Sequence, residues 1–100
     1  MGVSLEVAKH FGANLRRLRK QAGLSQEQLG ARASLHRTEI GLLERGARVP
    51  RIDTIVKLAA ALALPPNALI AGIVWTPGNV EAGAFTFSQP ETHIDETTKE

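Results

Sequence analysis

The sequence predicts an all-α fold of five short helices, followed by a short extension that is prone to form β-strands. Apolar residues recur every three or four positions over residues 4–71, which is the spacing of one helix face. Glycine and proline residues interrupt that spacing at several points. After Gly72 the pattern changes to an alternation of period two, which is typical of strands. The 100 residues have the length of a single domain.

The first two helices follow one another closely. The first is predicted from Ser4 to Ala22, and Gly23 ends it because glycine accepts the left-handed backbone that commonly closes a helix. The second starts at once, since Ser25 and Gln28 have the spacing of a capping box, in which each side chain satisfies an amide of the first turn. The apolar face of the first helix is formed by Phe11, Leu15, Leu18 and Ala22.

Three further helices are predicted by the same reasoning. The third runs from Arg37 to Arg45, and Gly46 stops it. The fourth carries a broad apolar face from Ile52 to Leu62, and Pro65-Pro66 breaks it. A fifth helix is predicted from Asn67 to Ala71, because a proline is accepted in the first turn of a helix.

The chain therefore divides into a helical domain of residues 4–72, a β-prone extension of residues 73–88 and an acidic tail of residues 89–100, which is predicted to be disordered. Within the extension, Ile73–Trp75 and Ala84–Ser88 form either a β-hairpin or two independent strands. Because a lone hairpin is marginally stable in water, it must pack on the helices or on a second subunit.

The formal net charge of +2 hides an uneven distribution. Residues 1–72 contain eleven Lys and Arg against five acids, whereas residues 73–100 contain one Lys against five acids. A basic body favours a polyanionic partner, although a solvated helical surface explains the same charge. The absence of cysteine, of a secretory leader and of a long apolar run predicts a cytoplasmic protein without disulfides or a membrane partner.

The second and third helices carry the most specific pattern. Two short helices joined by a tight turn must bury apolar residues, and a small residue, Gly30, lies where they approach most closely. The apolar residues are present at the required positions: Leu29, Ala33, Leu35, Ile40 and Leu43. Flanking motifs complete the pattern: Leu15-Arg16-Arg17-Leu18-Arg19, Leu24-Ser25-Gln26-Glu27-Gln28-Leu29-Gly30, Ile40-Gly41-Leu42-Leu43-Glu44-Arg45-Gly46, Pro50 and Leu58-Ala59-Ala60-Ala61-Leu62.

These motifs resemble the helix-turn-helix domain of the Cro/CI repressor family, also called the XRE family, of bacterial and phage transcription regulators. The resemblance covers residues 8–72 and implies a lambda-repressor-like DNA-binding domain. Three positions depart from the family pattern: Gly30 replaces an alanine, Ser34 a glycine in the turn, and His36 a Ser or Thr that caps the third helix. The departures at Ser34 and His36 affect the predicted orientation of the third helix, because they lie in the turn and at the cap that precede it.

The resemblance implies that the third helix docks in the major groove while the second crosses the DNA backbone. The candidate base contacts are Arg37, Thr38, Glu39 and Leu42. The candidate phosphate contacts are Ser25, Gln26, His36, Arg48 and Arg51. Arg37 suits bidentate binding to guanine. His36 is the weakest candidate, because the helix dipole disfavours a cation at a helix N-terminus.

Other charged and aromatic residues have structural explanations. Arg19 and Glu44 resemble the family's partly buried ion pair between the first and third helices. A solvated surface and a phosphate contact remain equally open for four cations: Arg16, Arg17, Lys20 and Arg45. Three aromatic residues of the extension are candidates for packing or for dimer contacts rather than for base stacking, because the acidic tail would repel phosphate: Trp75, Phe85 and Phe87.

The leading hypothesis is a sequence-specific transcriptional regulator, acting as a repressor, that binds a two-fold operator in double-stranded DNA as a homodimer. The alternative is an antitoxin or co-regulator whose C-terminal extension binds a protein partner. An enzyme is not expected, because the three histidines are scattered and no nucleophilic cysteine, metal-spaced cluster or glycine-rich phosphate loop is present. No cofactor and no metal are predicted.

Overall fold

Four α-helices and a two-stranded antiparallel sheet make up the fold in the computed structural model, which describes residues 2–78 and 82–89. The helices are α1 (Gly2–Gln21), α2 (Gln26–Ala33), α3 (Arg37–Glu44) and α4 (Ile52–Ala61). The strands are β1 (Ile73–Thr76) and β2 (Ala84–Phe87). In these two ranges, no helix combines the length and the apolar character that crossing a membrane requires.

The predicted fifth helix is wrong. Pro66–Ala68 form a single turn of 3-10 helix, and no α-helix continues to Ala71. Pro65 and Pro66 have no N–H to donate, and the few residues before Gly72 would gain too few hydrogen bonds to offset the cost of helix nucleation. Gly72 then turns the chain into β1 with a φ of +84°. The fold is therefore mostly helical with a small sheet rather than all-α.

The helix bounds also differ from the predicted ones. Helix α1 begins at Gly2 and ends at Gln21 rather than running from Ser4 to Ala22, and α3 ends at Glu44 with Arg45 as its C-cap. For the extension, the hairpin alternative is observed, because β1 pairs with β2 in antiparallel register. The predicted disordered tail lies outside the described residues beyond Gln89.

The core is aliphatic and joins every helix. Helices α2 and α3 pack on each other, α1 crosses α3, and α4 packs on α2. Large side chains with at most 1% of their surface exposed fill the centre: Phe11, Leu15, Leu29, Ile40, Leu43, Leu58 and Leu69. Since such side chains each contribute about 1.5–3 kcal/mol on burial, this cluster holds α3 in place while its outer face remains free.

The hairpin is attached to α1 by polar contacts and by packing. Asn14, with 1% of its surface exposed, donates from Nδ2 to the carbonyl oxygens of Leu69 and Ala71, both at 2.9 Å. His10 Nε2 donates to the same Ala71 oxygen at 3.1 Å, and the His10 ring lies 5.4 Å from the ring of Phe87. Of the two supports predicted for the hairpin, the helices or a second subunit, the structure shows the first, because the hairpin packs against α1 of its own chain.

Candidate nucleic-acid interface

The turn between α2 and α3 sets how the two helices are placed. Ser34 takes the left-handed conformation with φ +59°, and the Leu35 N–H donates to Gly30 O at 2.8 Å. A Cβ at position 30 would lie 2.5 Å from the Leu35 oxygen, a backbone atom that cannot move aside cheaply. Gly30 is therefore required by the close approach that the sequence indicated, and Ser34 accepts the strain that glycine would avoid.

The N-terminus of α2 is closed by the predicted capping box. Ser25 Oγ accepts from the Gln28 N–H at 3.0 Å, and Gln28 Oε1 accepts from the Ser25 N–H at 2.8 Å. Since these bonds satisfy amides that the helix itself leaves free, the start of α2 is rigid. Ser25 remains exposed, although its hydroxyl oxygen already serves the cap.

His36 caps α3 in the place of the expected Ser or Thr. Its Nδ1 accepts from the Thr38 N–H at 3.0 Å, which leaves Nε2 as the ring nitrogen that can donate. The exposed Nε2–H remains a hydrogen-bond donor next to the first turn of α3.

A buried polar network joins α1, α2 and α3. Arg19 binds Glu44 through two N–H groups on one side of its guanidinium, from Nε to Oε2 at 2.6 Å and from Nη2 to Oε1 at 3.0 Å. Its Nη1 donates to Leu24 O at 2.8 Å, and Gln26 Nε2 donates to Glu44 Oε1 at 3.0 Å. The hydrogen bond to Glu44 raises the pKa of Arg19. The network fixes the ends of α2 and α3 against α1.

The outer face of α3 presents the residues predicted to read bases. Arg37 and Thr38 are exposed, while Glu39 and Leu42 are half-buried. His36 caps the N-terminal end of this helix, whereas Gln26, at the start of α2, contacts Glu44 at its C-terminal end. The sequence alone does not decide whether Arg45 is a solvated surface residue or a phosphate contact. It lies seven residues after Thr38 and therefore on the same face of the helix, and this spacing is the signal in the sequence that groups the two residues.

The loop after α3 adds two exposed cations. Arg48 and Arg51, the predicted contacts to the DNA backbone, are both exposed, and Arg51 has an acidic partner in its own chain. Its Nε lies 3.3 Å from Asp53 Oδ1, and the two side chains are 81% and 53% exposed. Exposed pairs of this kind contribute at most about 1 kcal/mol, so a phosphate can compete for the arginine.

The aromatic residues of the extension lie apart from this surface. Trp75 and Phe85 face each other across the strands with ring centroids 4.9 Å apart, and Phe85 stacks on Phe87 at 6.4 Å. The hairpin packs against α1, and Trp75 keeps 51% of its surface exposed. Across residues 2–78 and 82–89, no group of three or more His, Asp or Glu side chains is placed to hold a metal ion.

Comparison with known proteins finds the same domain. A family model described as a helix-turn-helix domain matches residues 10–71. The HTH-type transcriptional regulator y4dJ of Sinorhizobium fredii is 36% identical over 73 residues, which are 73% of this chain and 95% of that protein. The restriction-modification controller protein C.AhdI of Aeromonas hydrophila superposes with a TM-score of 0.61 at 44% identity, over 62% of this chain and 94% of that one. The P22 c2 repressor, solved with a synthetic operator, gives a TM-score of 0.58 at 27% identity, over 62% of this chain and 94% of that one.

Proposed function

Since the chain belongs to the helix-turn-helix family of DNA-binding transcriptional regulators, we propose that it represses transcription by binding a two-fold operator as a homodimer, with α3 in the major groove. One observation carries the proposal. The outer face of α3 presents Arg37 and Thr38 to solvent, while the Arg19–Glu44–Gln26 network holds the C-terminal end of the helix. A rigid helix with a polar outer face can read base edges.

Each candidate contact has a distinct part in this proposal. Arg37 donates twice to a guanine, and Thr38 meets a neighbouring base through its hydroxyl or methyl group. Glu39 and Leu42 border them and limit which bases fit. Phosphates are held by the other five candidates, which line the start of α2, the start of α3 and the loop before α4: Ser25, Gln26, His36, Arg48 and Arg51. Such contacts set the register on the duplex without reading sequence.

Two copies are needed because one α3 reaches only a few base pairs. Two-fold pairing places the two copies of α3 about one helical turn, or roughly 34–36 Å, apart on one face of the duplex. We assign the pairing to the hairpin, since Trp75 is 51% exposed and continues an aromatic row with Phe85 and Phe87. The half-buried Phe85 and Phe87 would be covered further in the dimer.

Selection of binding sites from random DNA tests the proposed function. We expect enriched sites made of two inverted half-sites whose centres are about 10 base pairs apart. Binding to such a site should weaken with salt at a log–log slope of roughly −5 to −9, because about 6–10 phosphates are neutralised per dimer. A selection that enriches nothing, or a slope near zero, would contradict the proposal.

The dimer surface is tested separately by sedimentation of two matched variants. Trp75→Ser removes an exposed apolar side chain from the hairpin, and Val56→Ser removes one of equal exposure, 53%, from α4. We expect Trp75→Ser to sediment as a monomer at concentrations where the wild type and Val56→Ser are dimers. If Trp75→Ser stays dimeric, the hairpin is not the interface.

A further inference from the structure

We propose that Arg45 is a DNA phosphate-binding residue, placed for that role by the missing side chain at Gly41. The inference rests on the proposed function and adds a contact to it. Arg45 is the C-cap of α3 and is exposed. Among residues 2–78 and 82–89 no acidic side chain lies within salt-bridge distance of it, whereas Arg19 and Arg51 each have a carboxylate partner.

The Arg45 side chain lies back along α3 toward its N-terminus, as helical side chains do. Its Nη1 is 3.2 Å from the point that a Cβ at position 41 would occupy. Oε1 and Nε2 of Gln26 lie 3.7 and 3.9 Å from the same point. Gly41 therefore forms a notch in α3, bordered by a guanidinium on one side and an amide on the other.

The donors at this notch suit a phosphate. Gln26 uses one N–H of its amide on Glu44, and an amide nitrogen has a second N–H to donate. Gln26 also opens α2, the helix that crosses the backbone in this fold, so the notch lies on the side of α3 nearer the DNA backbone. The guanidinium offers a fork of N–H groups and a permanent charge, which match phosphate geometry.

Two variants of the full chain test the inference, with a third as control. Arg45→Gln removes the charge at nearly constant length, and Gly41→Leu fills the notch, where the atoms nearest to its Cβ are the flexible ends of Arg45 and Gln26. Arg32→Gln removes another exposed arginine, in the last turn of α2. Binding to the selected operator is measured as a function of salt, and site selection is repeated for each variant.

We expect Arg45→Gln to lower the salt slope by about one per protomer and to weaken binding about fivefold per lost contact at 0.15 M salt, equally for every operator. Gly41→Leu should do the same, the double variant should be no weaker than either single one, and Arg32→Gln should match the wild type. An unchanged affinity and slope for Arg45→Gln overturns the inference alone. A changed base preference also overturns it, because Arg45 would then read a base. A wild-type chain that selects no site overturns the proposed function as well.

Discussion

Replacing Glu44 by glutamine tests whether the buried network of Arg19, Glu44 and Gln26 holds α1, α2 and α3 together. The Glu44 and Arg19 side chains are only 3% and 10% exposed, and the carboxylate accepts three hydrogen bonds from Arg19 and Gln26. An amide at position 44 offers one acceptor oxygen instead of two and turns an NH₂ toward the other donors. The guanidinium then stays buried without a counter-charge.

The expected cost of Glu44→Gln is about 3–5 kcal/mol, the usual penalty for removing one partner of a buried pair. Small domains have a total stability of about 5–15 kcal/mol, so this loss lowers the melting temperature by at least about 12 °C. Urea unfolding followed by circular dichroism, and by the fluorescence of Trp75, measures the free energy of unfolding with two probes.

Glu27→Gln is the matched control, because Glu27 is an exposed carboxylate in the first turn of α2. Its loss should cost at most about 1 kcal/mol through the helix dipole. A cost of less than about 1 kcal/mol for Glu44→Gln, or the same cost for the two variants, would show that the network does not hold the three helices together.

Three further changes have expected outcomes of defined sign. Ser34→Gly should stabilise the fold by about 0.5–1 kcal/mol by relieving φ +59°, and an unchanged or lower melting temperature would contradict this. Gly30→Ala should destabilise it despite the better helix propensity of alanine, because the new Cβ would meet Leu35 O at 2.5 Å; thermal melting that shows a gain would exclude this. Asp53→Asn should tighten operator binding about two- to fivefold in fluorescence titrations, because it frees Arg51 to bind a phosphate, and it should alter the free energy of unfolding by less than about 1 kcal/mol. Weaker binding would count against a phosphate contact by Arg51.

The pKa of Arg19 bears on the pH dependence of stability. Because Glu44 raises that pKa, the stabilisation is fully present below the ordinary arginine pKa and is lost only as the pH rises through the still higher folded value. Arg19 therefore adds no pH dependence near neutrality.

Local signals in the sequence were sufficient to predict the helix-turn-helix. The Ser25–Gln28 capping box, the close approach at Gly30 and the apolar spacing around Ile40 are all properties of neighbouring residues, and the structure confirms them. The family comparisons support the resemblance to Cro/CI-type regulators. It could be recognised from the sequence because the family motif also consists of residues that are close together along the chain.

Features that depend on distant residues were not predictable in this way. Asn14 looks like a solvated helix residue, but its hydrogen-bond acceptors, the carbonyl oxygens of Leu69 and Ala71, are 55 and 57 positions away. Gly12 allows α1 to touch the end of α3, where a Cβ would collide with Leu43 O. Proline placement alone suggested a fifth helix, whereas the length before Gly72 permits only a 3-10 turn.

The residues of the candidate site are predictions from the family pattern, whereas their arrangement comes from the structure. The pattern pointed to Arg37 and Gln26 and placed His36 at the cap of α3, but it identified neither Glu44 as the acceptor of Gln26 nor Nδ1 as the capping atom of His36. Both contacts depend on side-chain conformations that only the packed turn determines.

Methylation of guanine N7 by dimethyl sulfate tests whether α3 reads guanines in the major groove, because that atom is exposed only there. With the selected operator saturated by protein, we expect protection of one guanine per half-site, about one helical turn apart, and loss of that protection in Arg37→Ala at saturating concentration. Full methylation of every guanine under the bound wild-type protein would show that α3 does not read guanines in this way.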